Sequence, residues 1–168
     1  FDKDKSTIGF TKYDEGIWVG YRYFDTFDKP VSYPFGYGLS YTTFSFSNLK
    51  VRYGREVCKA VVTVTNTGKV AGKEVAQLYV SAPKGALEKP KKELRAFAKT
   101  RTLQPGESQT LTMTFRTMDM ASFNENTNSW VLDPGVYQVK AGQSVEDIKA
   151  TAPMKISKGV QKKVLAVI

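Results

Sequence analysis

The residues that decide the fold are 57–68, which read VCKAVVTVTNTG. Small and β-branched side chains alternate there with more polar ones, and a period of two sends one set to a single face of a β-strand. Asn66, Thr67 and Gly68 follow as turn formers, so the strand ends at that point. The stretch therefore predicts a strand with one buried face. The side chains on that face are Cys58, Ala60, Val62 and Val64.

Runs with the same alternation recur along the chain, separated by turn dipeptides such as Pro105-Gly106 and Pro134-Gly135. Helical periodicity is absent between them, apart from a short helical turn predicted at 118–123. Such a pattern is typical of an antiparallel β-sandwich of the immunoglobulin-like or fibronectin-like type. The predicted strands are 44–51, 57–65, 74–81, 94–103, 111–115, 130–132, 136–141 and 148–156.

The segment that leads into the first of these strands, residues 32–44, reads SYPFGYGLSYTTF. Pro34 lacks a backbone donor, while Gly36 and Gly38 allow dihedral angles closed to other residues, so the segment is neither helix nor central strand. An extended backbone would send its odd-numbered aromatic rings to one side, where they require a surface to pack on. We interpret the segment as a join between two structures. The rings belong to Tyr33, Phe35, Tyr37 and Tyr41.

Residues 1–43 contain 12 of the 21 aromatic residues of the chain. A piece of this length cannot bury so many rings in a core of its own, so we expect it to belong to a larger domain. Within it, residues 13–27 read YDEGIWVGYRYFDTF and carry apolar side chains on both alternating faces, which predicts a strand covered on both sides. The C-terminal tail, residues 158–168, also has apolar residues to dock, but the sequence assigns it no partner.

Composition excludes several kinds of chemistry. The chain has no histidine and one cysteine, which rules out histidine-based acid–base catalysis, intrachain disulfides and ordinary zinc sites. Cys58 is predicted to be a small buried side chain rather than a reactive thiol. Gly36 and Gly38 lack the further glycines, lysine and helix of a phosphate-binding loop, and no cofactor is predicted. No apolar run approaches the roughly 18 residues of a membrane span.

The net charge of +9 lies entirely outside the first 43 residues. Residues 1–43 carry 5 Lys and Arg against 6 Asp and Glu, whereas the remaining 125 residues carry 20 against 10. The densest cluster is Lys89, Lys91 and Lys92, with no aromatic residues interleaved. We interpret these lysines as a solvated basic surface and predict no nucleic-acid partner, with a polyanion site as the alternative.

Carboxylates are the remaining catalytic candidates, because two of them suffice for glycoside hydrolysis. None has a spacing that marks it as catalytic, so all are interpreted as turn or solvated residues, and no catalytic, substrate-binding or metal-binding residue is assigned. Trp18 and Trp130 are predicted to pack in a core rather than to stack on sugar rings. The carboxylates considered are Asp14, Glu15, Glu88, Glu93, Glu107, Glu125, Asp133, Glu146 and Asp147.

From residue 13 to residue 156 the chain closely resembles the C-terminal region of glycoside hydrolase family 3 enzymes, the β-glucosidase group. The resemblance is specific because it rests on several segments in a fixed order. These segments read YDEGIWVGYRYFDTF, YPFGYGLSYTTF, VTVTNTGKVAGKEVAQLYV, PKKELRAFAKTRTLQPGESQTLTMTF and WVLDPGVYQVKAGQS.

In that family a barrel domain is followed by an α/β sandwich domain and then by a fibronectin type III-like domain. The resemblance implies that residues 1–43 are the end of the α/β sandwich domain and a linker. It implies that 44–157 form the fibronectin type III-like β-sandwich and that 158–168 are a tail. The fold class implied is thus mainly β, preceded by an aromatic-rich segment that completes an α/β sandwich.

The resemblance also implies retaining hydrolysis of β-glycosides by two carboxylates, with terminal β-linked glucose as the expected substrate. In the family the nucleophile belongs to the barrel and the acid/base to an earlier part of the α/β sandwich. No position of this chain matches either motif, so a non-catalytic, domain-bracing role is expected. Two alternatives stay open, namely a β-xylosidase or other exo-glycosidase of the same family, and an independent carbohydrate- or polyanion-binding β-sandwich.

The expected partner is another polypeptide that carries the barrel and α/β sandwich catalytic domains, through which this chain meets its carbohydrate substrate. The rings of residues 32–44 should then be buried at the seam between the α/β sandwich and the β-sandwich. Loops 85–92 and 124–128 are the segments expected to approach the substrate entrance.

Overall fold

Residues 15–164 are described by a computed structural model of the chain. Within these residues, the first element is a short helix, α1 (Tyr21–Thr26), and the later ones are strands and two 3-10 turns, Thr117–Met120 and Glu125–Thr127. The strands are β1 (Phe44–Arg52), β2 (Val57–Asn66), β3 (Val75–Ser81), β4 (Glu93–Lys99), β5 (Ser108–Arg116), β6 (Ser122–Asn124), β7 (Ser129–Leu132), β8 (Gly135–Gly142), β9 (Ile148–Ile156) and β10 (Val160–Lys163).

These strands form two large antiparallel sheets and a small third one. The first large sheet has the order β1-β2-β5 and the second the order β4-β3-β8-β9. The small sheet has the order β10-β7-β6. Neighbours such as β2 and β5 are not consecutive in the chain, which means that the chain crosses between the sheets as it does in sandwich folds. The predicted antiparallel β-sandwich is confirmed.

The core lies between the two large sheets, where the alternating pattern places it. Strands β2 and β5 pair in unbroken register from Val57 opposite Arg116 to Thr65 opposite Ser108, so their apolar positions share one face. The prediction that Cys58 is buried is confirmed, and its Sγ lies 3.3 Å from the hydroxyl of a buried threonine on the 3-10 turn. Core side chains with no exposed surface include Ala60, Val62, Val64, Leu78, Tyr137 and Val139.

Strand β3 is buried along both of its faces. Gln77 and Tyr79 point away from the core between the sheets, yet they are only 7% and 0% exposed. The N-terminal segment covers them, because the ring of Tyr21 lies 6.5 Å from that of Tyr79 and the Gln77 side chain donates to the carbonyl of Gly36. This segment is therefore packed on the outer face of the sandwich. The residues of β3 that face the core are Ala76, Leu78 and Val80.

The strand predicted at 13–27 is wrong. From residue 15 onward this stretch forms a turn followed by α1, and positions 13 and 14 lie outside the described residues. Gly16 and Gly20 have φ values of 57° and 58°, which interrupt an extended run. Because most of the neighbouring side chains are apolar, a period of two and a helical period match the sequence equally well. The two glycines are the feature that distinguishes them.

Three smaller differences concern element ends. Strand β4 ends at Lys99, although a strand was predicted to continue to Leu103, which forms only an isolated bridge with Gly72. The helical turn predicted at 118–123 is the 3-10 turn Thr117–Met120, followed by β6. The tail also has a partner, since β10 pairs antiparallel with β7.

The tail gave no signal for this pairing because every residue of β10 is exposed, so its side chains do not alternate between buried and exposed. Predictions that concern positions 165–168 fall outside the described residues. Within residues 15–164, no helix has the length and apolar character needed to cross a membrane.

Candidate functional site

The residues that precede the sandwich expose many large apolar side chains. Leu39 and Tyr41 are 90% and 101% exposed, and Tyr33 is 75% exposed. Apolar surface left in water is unfavourable, and a contiguous patch of it commonly marks a contact with another molecule or domain. We call this surface the aromatic face. Its members are Ile17, Val19, Tyr23, Phe24, Phe27, Val31, Tyr33, Phe35, Tyr37, Leu39 and Tyr41.

The rings of the aromatic face pack on one another and on the neighbouring ring of Tyr21. Phe35 stacks on Tyr21, with ring centroids 4.2 Å apart and planes 18° apart. Tyr33 and Tyr37 lie 5.6 Å apart in a tilted arrangement. These contacts give the rings defined positions, but they leave a large part of each ring uncovered. That the rings are buried at a seam with a second domain stays a prediction.

Gln77 joins the aromatic face to the sandwich. Its Nε2 donates to the carbonyl of Gly36 at 2.9 Å and to that of Gln143 at 2.7 Å, and its Oε1 accepts from the Tyr79 hydroxyl at 2.6 Å. Gly36 has a φ of 81°, and a Cβ at that position would collide with the Gln77 amide. Glycine is therefore required there both by the backbone angle and by the close approach of the side chain.

Two of the three clustered lysines hold α1 to the sandwich. The Lys92 ammonium lies 2.5 Å from a carboxylate oxygen of Asp25, and their side chains are 9% and 6% exposed. Lys91 pairs with Asp28 at 2.7 Å on the surface, and its amide donates to Thr26 Oγ1 at 2.9 Å. The prediction of a solvated basic surface is wrong for Lys92, because its side chain is nearly buried and its charge is paired with a carboxylate distant in sequence.

The third lysine and its neighbours are also engaged. Lys89, whose side chain is 10% exposed, forms an ion pair with Asp133 and is not solvated either. Glu93 faces two guanidinium groups, since Arg22 Nε lies 3.0 Å from its Oε1 and Arg95 Nη2 lies 2.5 Å from its Oε2. One carboxylate shared by two cations leaves a local excess of positive charge.

The protonation of several groups follows from these contacts. The hydrogen bond with Lys91 holds the pKa of the Asp28 carboxyl below its ordinary value. A hydrogen bond from the Gln104 amide likewise lowers the pKa of Glu107. Burial raises the pKa of the Tyr79 hydroxyl, so this group stays protonated. Lowered carboxyl pKa values favour the charged form, which suits ion pairing rather than general-acid catalysis.

The candidate carboxylates are engaged separately. Glu93 and Asp133 take part in the ion pairs above, and Glu107 and Asp147 each lie 2.7 Å from a cation. These contacts are those of structural ion pairs, whereas glycoside hydrolysis requires two carboxylates that face one substrate. The exposed candidates are Glu15, Glu88, Glu125 and Glu146, and Asp14 lies outside the described residues.

The prediction that both tryptophans pack in a core is wrong. Trp130 of β7 is 43% exposed, and its ring lies 5.2 Å from that of Phe123 in an edge-to-face contact. Trp18 is half-buried and meets Phe27 edge to face at 5.1 Å, next to the aromatic face. Neither ring belongs to the core cluster between the large sheets. Trp130 lies instead on an exposed position of the small third sheet.

The two loops singled out from the sequence make different contacts. Loop 85–92 supplies the lysines that hold α1. Loop 124–128 contacts the tail, since the amide of Val164 donates to the Asn128 carbonyl at 2.9 Å. That either loop approaches a substrate stays a prediction.

Sequence reasoning missed the residues that attach the aromatic face. Gln77 lies 41 positions from Gly36 and Lys92 lies 67 positions from Asp25, so no local pattern connects them. One signal was present, because residues 1–43 carry a small negative charge and the remainder a large positive one. Opposite charges on two parts of a chain favour contact between them.

Comparison with known proteins identifies the sandwich. The model of the Fn3-like family, the fibronectin type III-like domain, matches residues 74–145. Beta-glucosidase A of Butyrivibrio fibrisolvens is 46% identical over 83% of this chain and 20% of its own length. An exo-alpha-(1->6)-L-arabinopyranosidase of Bifidobacterium longum is 39% identical over 88% of this chain and 20% of its own. The chain thus spans about a fifth of the length of these curated relatives.

Solved structures have the same fold over the matched region. Beta-glucosidase 3B from Thermotoga neapolitana, solved with glucose, has a TM-score of 0.85 and 45% identity, and the match covers 90% of this chain and 21% of that one. A GH3 beta-glucosidase of Bifidobacterium adolescentis has a TM-score of 0.82 and 38% identity, with 98% and 25% covered. In these proteins the matched region is part of a longer chain. By sequence and fold, the chain therefore belongs to the C-terminal region of glycoside hydrolase family 3, with its fibronectin type III-like domain.

Proposed function

We propose that this chain is the non-catalytic C-terminal portion of a retaining β-glycosidase of the β-glucosidase type, and that it braces the catalytic domains. Hydrolysis of terminal β-linked glucose is performed by two carboxylates that lie elsewhere in the enzyme. The state of the candidate carboxylates supports this division, because Glu93, Asp133, Glu107 and Asp147 are engaged by cations.

The observation that carries the proposal is the contrast between a filled core and an uncovered aromatic face. The sandwich buries its own apolar side chains, whereas residues 17–41 are held against it and still expose their rings. An apolar surface that is attached to the sandwich and left uncovered fits an interface with another domain. The remainder of an α/β sandwich domain is the occupant that the family relationship supports.

The finer form of the proposal places the barrel and the rest of the α/β sandwich on a separate polypeptide. Native material is then expected to contain a larger glycosidase polypeptide that co-purifies with this chain and separates from it under denaturing conditions. A single species of 18.7 kDa that folds cooperatively through residues 15–43 would contradict this form.

Complementation tests the bracing role directly. The part of Butyrivibrio beta-glucosidase A that lies outside the region similar to this chain is co-expressed with this chain, and hydrolysis of an aryl β-glucoside is measured. We expect each piece alone to be inactive and the mixture to be active. A folded Butyrivibrio piece that stays inactive in the presence of this chain would contradict the proposal.

Variants of the aromatic face sharpen this experiment. Leu39→Asp and Tyr41→Asp each place a charge in the exposed apolar surface and are expected to abolish complementation, because burial of an unpaired charge is costly. Phe97→Asp is the matched control, since Phe97 is 70% exposed on β4 and lies outside the aromatic face. It is expected to complement normally.

A second candidate changes only the sugar. Similarity to arabinopyranosidases of Bifidobacterium at 39% and 40% identity favours this candidate. A region similar to this chain is thus found in enzymes that are named for different sugars. Initial rates of the complemented enzyme on aryl β-glucoside, β-xyloside and α-L-arabinopyranoside distinguish the two. Substitutions in this chain are expected to leave the ratios of these rates unchanged.

A further inference from the structure

A cavity of about 770 Å³ opens at the side of the sandwich where β4 approaches β5. The small third sheet borders it, with Trp130 of β7 directly opposite Lys162 of β10. This volume lies in the range of small-molecule sites, about 300 to 1,000 Å³. The charged residues of its lining are Arg55, Glu56, Arg95, Arg116, Asp119 and Lys162.

The lining has an excess of positive charge, with four cations against two carboxylates. Arg116 pairs with Asp119 at 2.8 Å, and its side chain is 81% exposed. Arg95 is only 13% exposed and shares the carboxylate of Glu93 with Arg22. Its Nε is buried and has no hydrogen-bond partner among residues 15–164. Because that donor has no exposed surface, it is out of reach of a ligand, and the exposed cations of the lining are Arg55, Arg116 and Lys162. Their excess over the two carboxylates favours an anionic ligand, which would offset the charge.

Trp130 supplies an apolar element beside these cations. Its indole is 43% exposed, and the edge-to-face contact with Phe123 at 5.2 Å fixes the orientation of the ring. A flat aromatic ring suits the apolar C–H face of a pyranose, and a guanidinium binds a carboxylate through two parallel hydrogen bonds. Together the two elements match a sugar that carries a carboxylate.

We propose that this cavity is an accessory binding site for acidic oligosaccharides, with a uronate ring on Trp130 and its carboxylate at the exposed cations of the lining, Arg55, Arg116 and Lys162. The site binds its ligand without a covalent step. None of its lining residues is a member of the aromatic face, so the inference goes beyond the bracing role and does not depend on it.

The test is a titration of the full chain with trigalacturonic acid. In a Trp18→Phe background Trp130 is the only tryptophan, and its fluorescence is expected to change saturably. By calorimetry, Trp130→Ala is expected to weaken binding about tenfold, the effect of losing one aromatic contact. Lys162→Gln removes an exposed cation and is expected to weaken binding severalfold while the circular dichroism spectrum stays unchanged.

Matched controls decide between this ligand and its competitors. Tyr41→Ala removes an exposed ring elsewhere and is expected to bind trigalacturonic acid normally, whereas cellotriose and a short DNA duplex are expected to bind much more weakly. Where Trp130→Ala fails to fold, Trp130→Leu replaces it in the same comparison. The proposal is overturned if trigalacturonic acid gives no saturable signal, if the Trp130 variant binds equally well, or if cellotriose or DNA binds as tightly.

Discussion

The N-terminal segment and the β-sandwich use the same kinds of side chain in opposite ways. In the sandwich, Tyr79 and Tyr137 are fully buried and each hydroxyl has a hydrogen-bond acceptor. In residues 15–43, Tyr33, Tyr37 and Tyr41 are half to fully exposed. Aromatic content alone therefore does not indicate a core. What distinguishes the two regions is whether the chain supplies the second surface that the rings need.

The two regions also differ in how they are held. The sandwich is stabilised by apolar area buried between its sheets, which no single contact dominates. The N-terminal segment is attached by a few polar contacts, chiefly those of Gln77, the Lys92–Asp25 pair and the bond from the Leu94 amide to the Tyr21 hydroxyl at 2.9 Å. Such a segment is expected to open locally at a lower free energy than the sandwich unfolds.

The largest expected effect comes from a matched pair of leucines. Leu78→Ala empties space in the core, where Leu78 has no exposed surface, and is expected to lower the free energy of unfolding by about 2 to 5 kcal/mol. Leu39→Ala removes a side chain that is 90% exposed in the aromatic face and is expected to leave this free energy unchanged. Urea denaturation of the two variants measures both. A comparable loss from Leu39→Ala would mean that the aromatic face is already buried within this chain.

The sandwich could be predicted from the sequence because its strands have one apolar face each. In β2 and β5 the alternation from Cys58 to Val64 and from Leu111 to Phe115 is uninterrupted, and turn formers separate the strands. A period of two with one buried face is a local signal, so it survives without knowledge of the partner strand. The bulge at Asn48 is an exception, since its positive φ has no counterpart in the alternating pattern.

The attachment of the N-terminal segment could not be predicted in the same way. In residues 17–24, which read IWVGYRYF, most side chains are apolar or aromatic, so the hydrophobic period does not distinguish a helix from the strand that the sequence predicts. Lys89 and Lys92 resemble solvated lysines in sequence, because their partners Asp133 and Asp25 are far along the chain. For Trp130, residue type favours a core, and only the position of β7 in the small third sheet shows otherwise.

The next effect concerns the buried ion pair. Lys92→Met leaves the Asp25 carboxylate without its cation in a nearly buried site, and we expect a cost of about 3 kcal/mol. Local opening of the N-terminal segment returns the Asp25 carboxylate to water and avoids this cost. Hydrogen exchange of the amides in α1 should therefore accelerate more than exchange in β3. Lys91→Met is the control, because its pair with Asp28 is exposed. Equal acceleration in both variants would show that the buried pair has no special role.

A smaller effect is expected from the glycines of residues 32–44. Gly36→Ala forces a side chain into positive φ and against the Gln77 amide, at a cost of about 1 to 3 kcal/mol. Gly38→Ala meets no atom within 4 Å and is expected to be neutral. Limited proteolysis between residues 32 and 43 reports local opening, so Gly36→Ala should be cleaved faster than Gly38→Ala. Identical cleavage would place the attachment of this segment elsewhere than at Gln77.

The smallest effect at neutral pH is expected from Tyr137→Phe, which removes one hydrogen bond to the Asp133 carbonyl and costs about 1 kcal/mol. Burial raises the pKa of Tyr137 from 10.0 to about 12, so the folded protein keeps a proton that the unfolded chain loses. The corresponding stability is fully present below pH 10 and is lost as the pH rises from 10 to 12. The Tyr137→Phe variant has no hydroxyl to titrate and keeps its stability over this interval. Its deficit in free energy of unfolding relative to the unmodified protein should therefore shrink between pH 10 and pH 12, as measured by urea denaturation. A deficit that stays constant from pH 8 to pH 12 would show that this buried hydroxyl does not set the alkaline limit of the sandwich.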